Sequence, residues 1–160
     1  MEKIDDFWTT ELNSYLAVKD ESRKKTLYPK ILEIIQKLKP GNILDFGCGD
    51  GELLSCIKSK CKAKISAYDR SNLAIKAIKS RFGATEVKIY EAQNDILSAT
   101  YDVIICSLVL MTIDCEEELE EVLNIIYNAK ARNGHVIFAI THPCFRQYQY
   151  STFVTQQQPN

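Results

Sequence analysis

No two of the six cysteines in this chain, at positions 48, 56, 61, 106, 115 and 144, stand at CxxC spacing. The only histidines are His135 and His142, and neither lies near two of those cysteines. The usual zinc ligand sets are therefore missing, and no metal site is expected. Most of the thiols sit in apolar stretches, where cysteine acts as a small hydrophobe, and they read as free thiols of a reducing compartment. No apolar run approaches the roughly 18–20 residues needed to span a bilayer. The N-terminus, MEKIDDFW, is acidic and lacks the apolar segment of a secretory signal. A cytoplasmic protein with no membrane partner is the expectation. An excess of either charge is also lacking: 20 Lys+Arg against 21 Asp+Glu leave a formal net charge of −1. The longest basic run is Arg23-Lys24-Lys25, which argues against a nucleic-acid partner. Glycine is scarce, six in 160 residues, and three of the six fall at 47, 49 and 51.

What is present reads as one soluble domain, with 46% hydrophobic and 26% charged residues. Residues 1–28 mix aromatics with charges and are expected to form helical turns, a lid segment carrying Phe7, Trp8, Tyr15 and Tyr28. Pro29 suits the first turn of a helix. Ile31, Ile34, Ile35 and Leu38 then give an apolar stripe, with Pro40-Gly41 as its stop. From there the chain alternates. Strands are expected at 42–46, 63–68, 86–91, 101–110 and 135–141. Helices are expected at 52–60, at 71–82 with Gly83 as a stop, and after Asp114. Asp114 and Glu117 have capping-box spacing, and Leu119, Val122, Leu123 and Ile126 form the inner stripe. Asn133-Gly134 reads as a turn. Strands alternating with helices predict an α/β fold with a parallel sheet and right-handed crossovers. Ligands of such sheets bind beyond the carboxyl ends of the strands.

The first strand delivers Asp45 into Phe46-Gly47-Cys48-Gly49-Asp50-Gly51. Glycines permit a tight turn and close backbone approach to a ligand. The turn opens a helix, and Asp69 closes the next strand 18 residues after Gly51. A carboxylate there can accept hydrogen bonds from two vicinal ribose hydroxyls, so the ligand should contain a nucleoside. In the dinucleotide pattern GxGxxG the third glycine would stand where this chain has Glu52. Asp45, Asp50 and Glu52 crowd the turn with no Lys or Arg among them, which repels a diphosphate and suits a cation. A P-loop would need a lysine after its last glycine, and none follows.

ILDFGCGDG at 43–51 resembles motif I of the class I S-adenosylmethionine-dependent methyltransferases, and AYDRS at 67–71 resembles their second motif. The likeness runs from about Ile31 to Thr141. It implies a Rossmann-like three-layer α/β sandwich with a mostly parallel sheet, a 29–142 core, and S-adenosyl-L-methionine as cofactor with S-adenosyl-L-homocysteine as product. It further implies that Asp45 and the backbone of Phe46, Gly47, Cys48 and Gly49 hold the methionine part, that Asp69 takes the ribose hydroxyls and that Arg70 lies against the adenine. An acid after the third strand would take the adenine amino group. Spacing favours Glu91-Ala92, next to Gln93, over Asn94-Asp95. Cys106, Ser107 and Leu108 would line the methionine and the substrate entry. His142, at the carboxyl end of the fifth strand, is the candidate catalytic base, while His135 reads as structural. The plainer alternatives are a turn cap for Asp45, a helix cap for Asp69 (a role Ser71 could fill) and a surface position for Arg70.

The family's sheet has seven strands, the last two an antiparallel hairpin. Here the pattern stops after the fifth, and 143–160 is too short and polar to supply that hairpin. A truncated C-terminus, or a homodimer covering the fifth-strand edge, is expected. The Asn-Pro-Pro-Tyr motif of amino-methylating nucleic-acid enzymes is absent, with Ser107-Leu108-Val109-Leu110 in its place. A small-molecule acceptor is the leading expectation. The rivals are a non-catalytic cofactor-binding or assembly subunit and a Rossmann-type NAD oxidoreductase.

Overall fold

A computed structural model describes residues 23–83 and 85–142. Phe7, Trp8, Tyr15, Cys144 and the polar tail lie outside that range. A single turn over Arg23–Leu27 leads into helix α1, Tyr28–Leu38. Then follow β1 (Asn42–Phe46), α2 (Glu52–Lys60), β2 (Lys64–Tyr68), α3 (Asn72–Arg81), β3 (Lys88–Tyr90), β4 (Tyr101–Ser107), α4 (Glu116–Ala129) and β5 (Lys130–Ala139). Short 3-10 turns cover Gln93–Ser98 and Leu110–Thr112. The five strands lie in the order β3-β2-β1-β4-β5, and every pairing is parallel. This is the Rossmann-like arrangement. The chain works outward from β1 to β3 and then crosses back to β4, so the crevice between the ends of β1 and β4 is the topological switch point.

Alternation along the central strands feeds two cores, one on each face of the sheet. Ile43, Val103 and Ile105 pack with Ile31, Ile35, Leu54, Ile57 and Ile78 of the first three helices. Leu44, Ile104 and Cys106 pack with Val122, Ile125 and Ile126 of α4. Pro40 disfavours the α-helical region at the residue before it. Lys39 accordingly ends α1 in the left-handed conformation (φ 49°, ψ 52°), its N–H donating to Ile35 O at 2.9 Å. The helix stops there rather than on Gly41, and Leu32 rather than Ile34 joins the buried stripe.

Two local expectations are corrected. Helix α4 begins one residue later than the Asp114–Glu117 capping box requires. Cys115 is its N-cap and makes no side-chain cap, and Glu116, Glu117 and Glu118 face the positive end of the helix dipole instead. Its buried residues are Val122, Ile125, Ile126 and Ala129. The fully buried Ala129 lets that face approach the sheet closely, while Leu123 is left 39% exposed. Asn133-Gly134 is not a turn before β5 but part of it. Tyr101 pairs with Lys130 and Val103 with His135, so residues 131–134 bulge opposite Asp102. A Cβ on Gly134 would stand 2.7 Å from Tyr101 O, and that close backbone approach explains the glycine.

Candidate cofactor site

The glycine turn is held by β2. The N–H groups of Gly47 and Cys48 both donate to Tyr68 O, at 2.8 and 3.1 Å, and the Cys48 thiol donates to the same oxygen at 3.1 Å. Gly47, Gly49 and Gly51 all have positive φ. At Gly47 (φ +78°) a Cβ would lie 2.2 Å from Val109 Cγ2, so glycine is needed for both conformation and space. Burial pushes the Cys48 thiol well above its ordinary range, consistent with a small packing residue and not a reactive thiolate.

A cavity opens above the ends of β1, β2 and β4. Asp45 and Asp69 are two of its walls and differ in how they are held. The Asp69 carboxylate accepts the Gly49 N–H at 2.8 Å through Oδ2 and the Ser71 N–H at 2.9 Å through Oδ1. Each oxygen keeps a second lone pair for a ligand. Ser71, not Asp69, caps α3, its side chain accepting the Ala74 N–H. Asp45 is 2% exposed, and its Oδ2 has no hydrogen-bond partner among the described residues. Burial, with a smaller contribution from the Asp69 charge, pushes its carboxyl up to about 7. A buried carboxylate oxygen without a donor costs free energy until a donor or a cation arrives.

Phe46, Gly47, Cys48, Gly49, Ser107 and Leu108 also line this cavity. So does Arg70, whose Nη1 donates to Glu118 Oε1 at 2.8 Å, while its buried Nη2 has no partner among the described residues. Gln93 alone represents the loop after β3, its Oε1 accepting from the Tyr68 hydroxyl at 3.3 Å. Four expected residues lie elsewhere. Glu91 is exposed and ion-paired with Lys79, which holds its carboxyl below the usual range. Ala92 is exposed and outside the cavity, because β3 ends at Tyr90 and the chain turns at once. Cys106 is fully buried in β4, facing the α4 core. His142 is exposed beyond the end of β5 and does not reach the lining.

Three other residues line the cavity, and one of them, Arg23, is a cation that the charge argument did not count. Arg23 and Tyr28 come from the segment entering α1, and Glu118 from the first turn of α4. Distant cations also neutralise part of the turn: Lys24 pairs with Glu52 at 2.6 Å and Arg81 with Asp50 at 3.3 Å. With the Asp50–Arg81 and Arg70–Glu118 pairs set aside, the lining holds Asp45 and Asp69 against Arg23. An apolar-periodicity reading has no means of bringing Arg23 or Arg81 to a turn around residue 50. Glu118 had one visible signal, its place in an acidic first helical turn.

Among the described residues no helix is long and apolar enough to cross a membrane. A family model described as "Methyltransferase domain" matches residues 19–150. The fold is similar to the structure titled "DhpI-SAH complex", at 17% identity and TM-score 0.65, covering 84% of this chain and 65% of that one. It is similar also to the N-methyltransferase NodS from Bradyrhizobium japonicum WM9 in complex with S-adenosyl-L-homocysteine, at 19% identity and TM-score 0.62, covering 81% and 71%. The plantazolicin methyltransferase BpumL, in complex with a monoazolic desmethylPZN analog and SAH, matches at 17% identity and TM-score 0.63, covering 84% and 56%. A stretch of 45 residues is 47% identical to a ribosomal RNA small subunit methyltransferase C of Marinomonas sp. (strain MWYL1), 28% of this chain and 13% of that protein. The chain thus spans about two thirds or less of the length of most of these relatives. With a family match over most of its length and the glycine turn and paired acids at the switch point, the chain belongs to the methyltransferase domain family.

Proposed function

We propose that the chain is an S-adenosyl-L-methionine-dependent methyltransferase that acts on a small-molecule acceptor. The observation that carries the reading is the pairing of a buried Asp45 carboxylate oxygen, without a donor among the described residues, with a backbone-anchored Asp69 beside the glycine turn. The residues present fit such a cofactor: two carboxylates for a cationic, hydroxyl-bearing ligand, and a turn stripped of side chains where the ligand would pass. When bound, S-adenosyl-L-methionine supplies a methyl carbon already activated by its sulfonium.

The chain's own contribution is then mainly to hold and orient. Asp69, fixed by Gly49 and Ser71, accepts hydroxyl donors in a set position. Asp45 offers negative charge in a site shielded from water, where it is worth more than at a surface. Gly47 makes room for the Val109 side chain against the turn, and Gly49 leaves its own Cβ space open. Arg70, its Nη1 held by Glu118, lines the same cavity. Of the loop after β3, Gln93 is the residue we assign to the base of the nucleoside, in place of Glu91 and Ala92. An acceptor whose nucleophile is protonated at neutral pH needs a base, and His142, at the carboxyl end of β5, is our assignment for that case.

Support for a small acceptor is the Ser107-Leu108-Val109-Leu110 segment after β4, together with a net charge of −1. A nucleic-acid acceptor is the second reading, favoured by the 45-residue likeness to a ribosomal RNA methyltransferase. The test is transfer of labelled methyl from S-adenosyl-L-methionine to pooled small amines, phenols and thiols and, separately, to ribosomal RNA. Label in the small-molecule pool is expected. Label in RNA alone moves the acceptor to the second reading. Cofactor binding without transfer to any acceptor makes the chain a cofactor-binding subunit.

A further inference from the structure

With Asp69 as the acceptor for a sugar's hydroxyls, the base of a bound nucleoside falls to the lining beside the end of β2. Arg70 follows Asp69 directly in the chain. Two other elements converge on this corner. Gln93, from the loop after β3, accepts from the Tyr68 hydroxyl at 3.3 Å. Glu118, from the first turn of α4, accepts from Arg70 Nη1 at 2.8 Å. All three line the cavity. Val122 lines it too, four residues after Glu118 and so on the same helix face, and it is buried. An apolar side chain beside polar ones suits the flat face and polar edge of a base.

The inventory of donors and acceptors assigns that edge. Adenine offers one donor group, its 6-amino, and acceptors at its ring nitrogens. Arg70 has donors only, and its buried Nη2 has no partner among the described residues. Gln93 commits its oxygen to Tyr68 and keeps its amide N–H groups. The Ser71 hydroxyl oxygen is turned to the Ala74 N–H at the start of α3. Beyond Asp69, the side-chain acceptor left in this corner among the described residues is Glu118. Its hydrogen bond to Arg70 runs through Oε1, and a carboxylate has a second oxygen that accepts equally well. Glu91, the acid next to β3, is exposed and paired with Lys79.

We propose that Glu118 is the specificity residue for the base, its carboxylate accepting the 6-amino group of the cofactor's adenine, with Arg70 and Gln93 supplying donors for the ring nitrogens. The inference rests on the S-adenosyl-L-methionine reading of this cavity. It moves recognition of the amino group from the loop after β3 to the helix after β4. Arg70 holds the Glu118 carboxylate in place, so the two side chains read the base together. A 6-oxo base sets a lone pair where adenine has an N–H, and acceptor then faces acceptor. A site built to receive an N–H rejects such an analogue because its own acceptor is left unmatched.

The test is titration calorimetry of the full chain with S-adenosyl-L-homocysteine and with its 6-oxo counterpart, S-inosyl-L-homocysteine. The wild type should prefer the adenine form at least tenfold. Glu118→Gln brings an amide that can donate to the 6-oxygen. It should weaken the adenine form, strengthen the 6-oxo form and so cut the preference at least tenfold. The exposed Asp114 carboxylate stands within 4.8 Å of that of Glu118 but outside the lining. Asp114→Asn removes a nearby negative charge without the hydrogen bond, and should leave the preference as it is. If Glu118 served only to hold Arg70, its loss would weaken both forms alike. An unchanged preference in Glu118→Gln therefore overturns the proposal and leaves the cofactor reading standing. So does an equal fall in Asp114→Asn, or a wild type that binds both forms equally. A wild type that binds neither form defeats the cofactor reading and the proposal together.

Discussion

β1 and β5 are parallel strands of one sheet, yet four of the five residues of β1 are buried and none of the ten of β5 is. Around β1 every neighbour is fixed twice, by sheet pairing on both sides and by helices on both faces. Asp45 can be held there as a buried carboxyl because the surroundings cannot relax to solvate it. Around β5 the backbone bulges, the register slips and large side chains reach solvent. The buried half carries the rigid geometry that a cofactor needs, and the described residues of the edge are far less buried. Substitutions should therefore cost far more at the first than at the second.

Gly47→Ala should be the largest effect. A left-handed non-glycine residue costs about 1–2 kcal/mol, and the clash with Val109 adds overpacking of about 1–3 kcal/mol. Denaturant unfolding should show a loss of about 3 kcal/mol. Gly49→Ala, with φ +54° but nothing within 4 Å of its Cβ, should lose only about 1 kcal/mol. Equal losses at the two glycines would mean that the Val109 contact yields.

Next is Asp45→Asn. The unfolded chain releases this proton near 3.8 and the folded chain near 7. The folded state therefore binds more protons across that window. Stability from this group is full below pH 3.8, falls as pH rises from about 4 to about 7, and is flat above. The asparagine variant removes that slope and should be more stable than the wild type at pH 8, by about 2 kcal/mol. Chemical denaturation at pH 5 and pH 8 gives the comparison. A wild type as stable at pH 8 as at pH 5, relative to the variant, would show that Asp45 is ionised throughout. Because a cation beside Asp45 favours its charged form, cofactor binding at pH 6 should also release protons. Calorimetry in buffers of different ionisation enthalpy reads that release.

Asp69→Ala removes the acceptor for the Gly49 and Ser71 N–H groups and should cost about 1–2 kcal/mol of stability. Smallest is the edge: Phe138→Ser, at a 47% exposed position, should change the stability of the chain by no more than about 0.5 kcal/mol. A larger loss would mean that Phe138 is packed in solution.

The same contrast explains what was legible in the sequence. β1 and α2 fall at 42–46 and 52–60, as their apolar run and glycine turn indicate, because a strand buried on both faces and a turn needing positive φ leave few alternatives. Asp45, Asp69 and the turn backbone face one cavity for the same reason. The sequence pattern fails where tertiary contacts decide. Asn133-Gly134 carries a turn signal, but pairing with β4 absorbs it as a bulge. Leu123 belongs to a helical apolar stripe, but α4 rolls onto Ile125 and Ala129. Glu91 is an acid at a plausible spacing, yet β3 stops one residue short of it and Lys79 draws it outward. Arg23 reaches the cavity from some twenty residues before the turn, across a fold boundary that no local spacing encodes.

The most direct test is calorimetric titration of the chain with S-adenosyl-L-homocysteine and, in parallel, with NAD. Saturable one-to-one binding of S-adenosyl-L-homocysteine is expected, weakened at least tenfold in Asp69→Ala through the loss of charge-assisted hydrogen bonds of about 1–3 kcal/mol, with no heat from NAD. Binding of NAD in place of S-adenosyl-L-homocysteine, or an affinity untouched by Asp69→Ala, would contradict the assignment of this cavity.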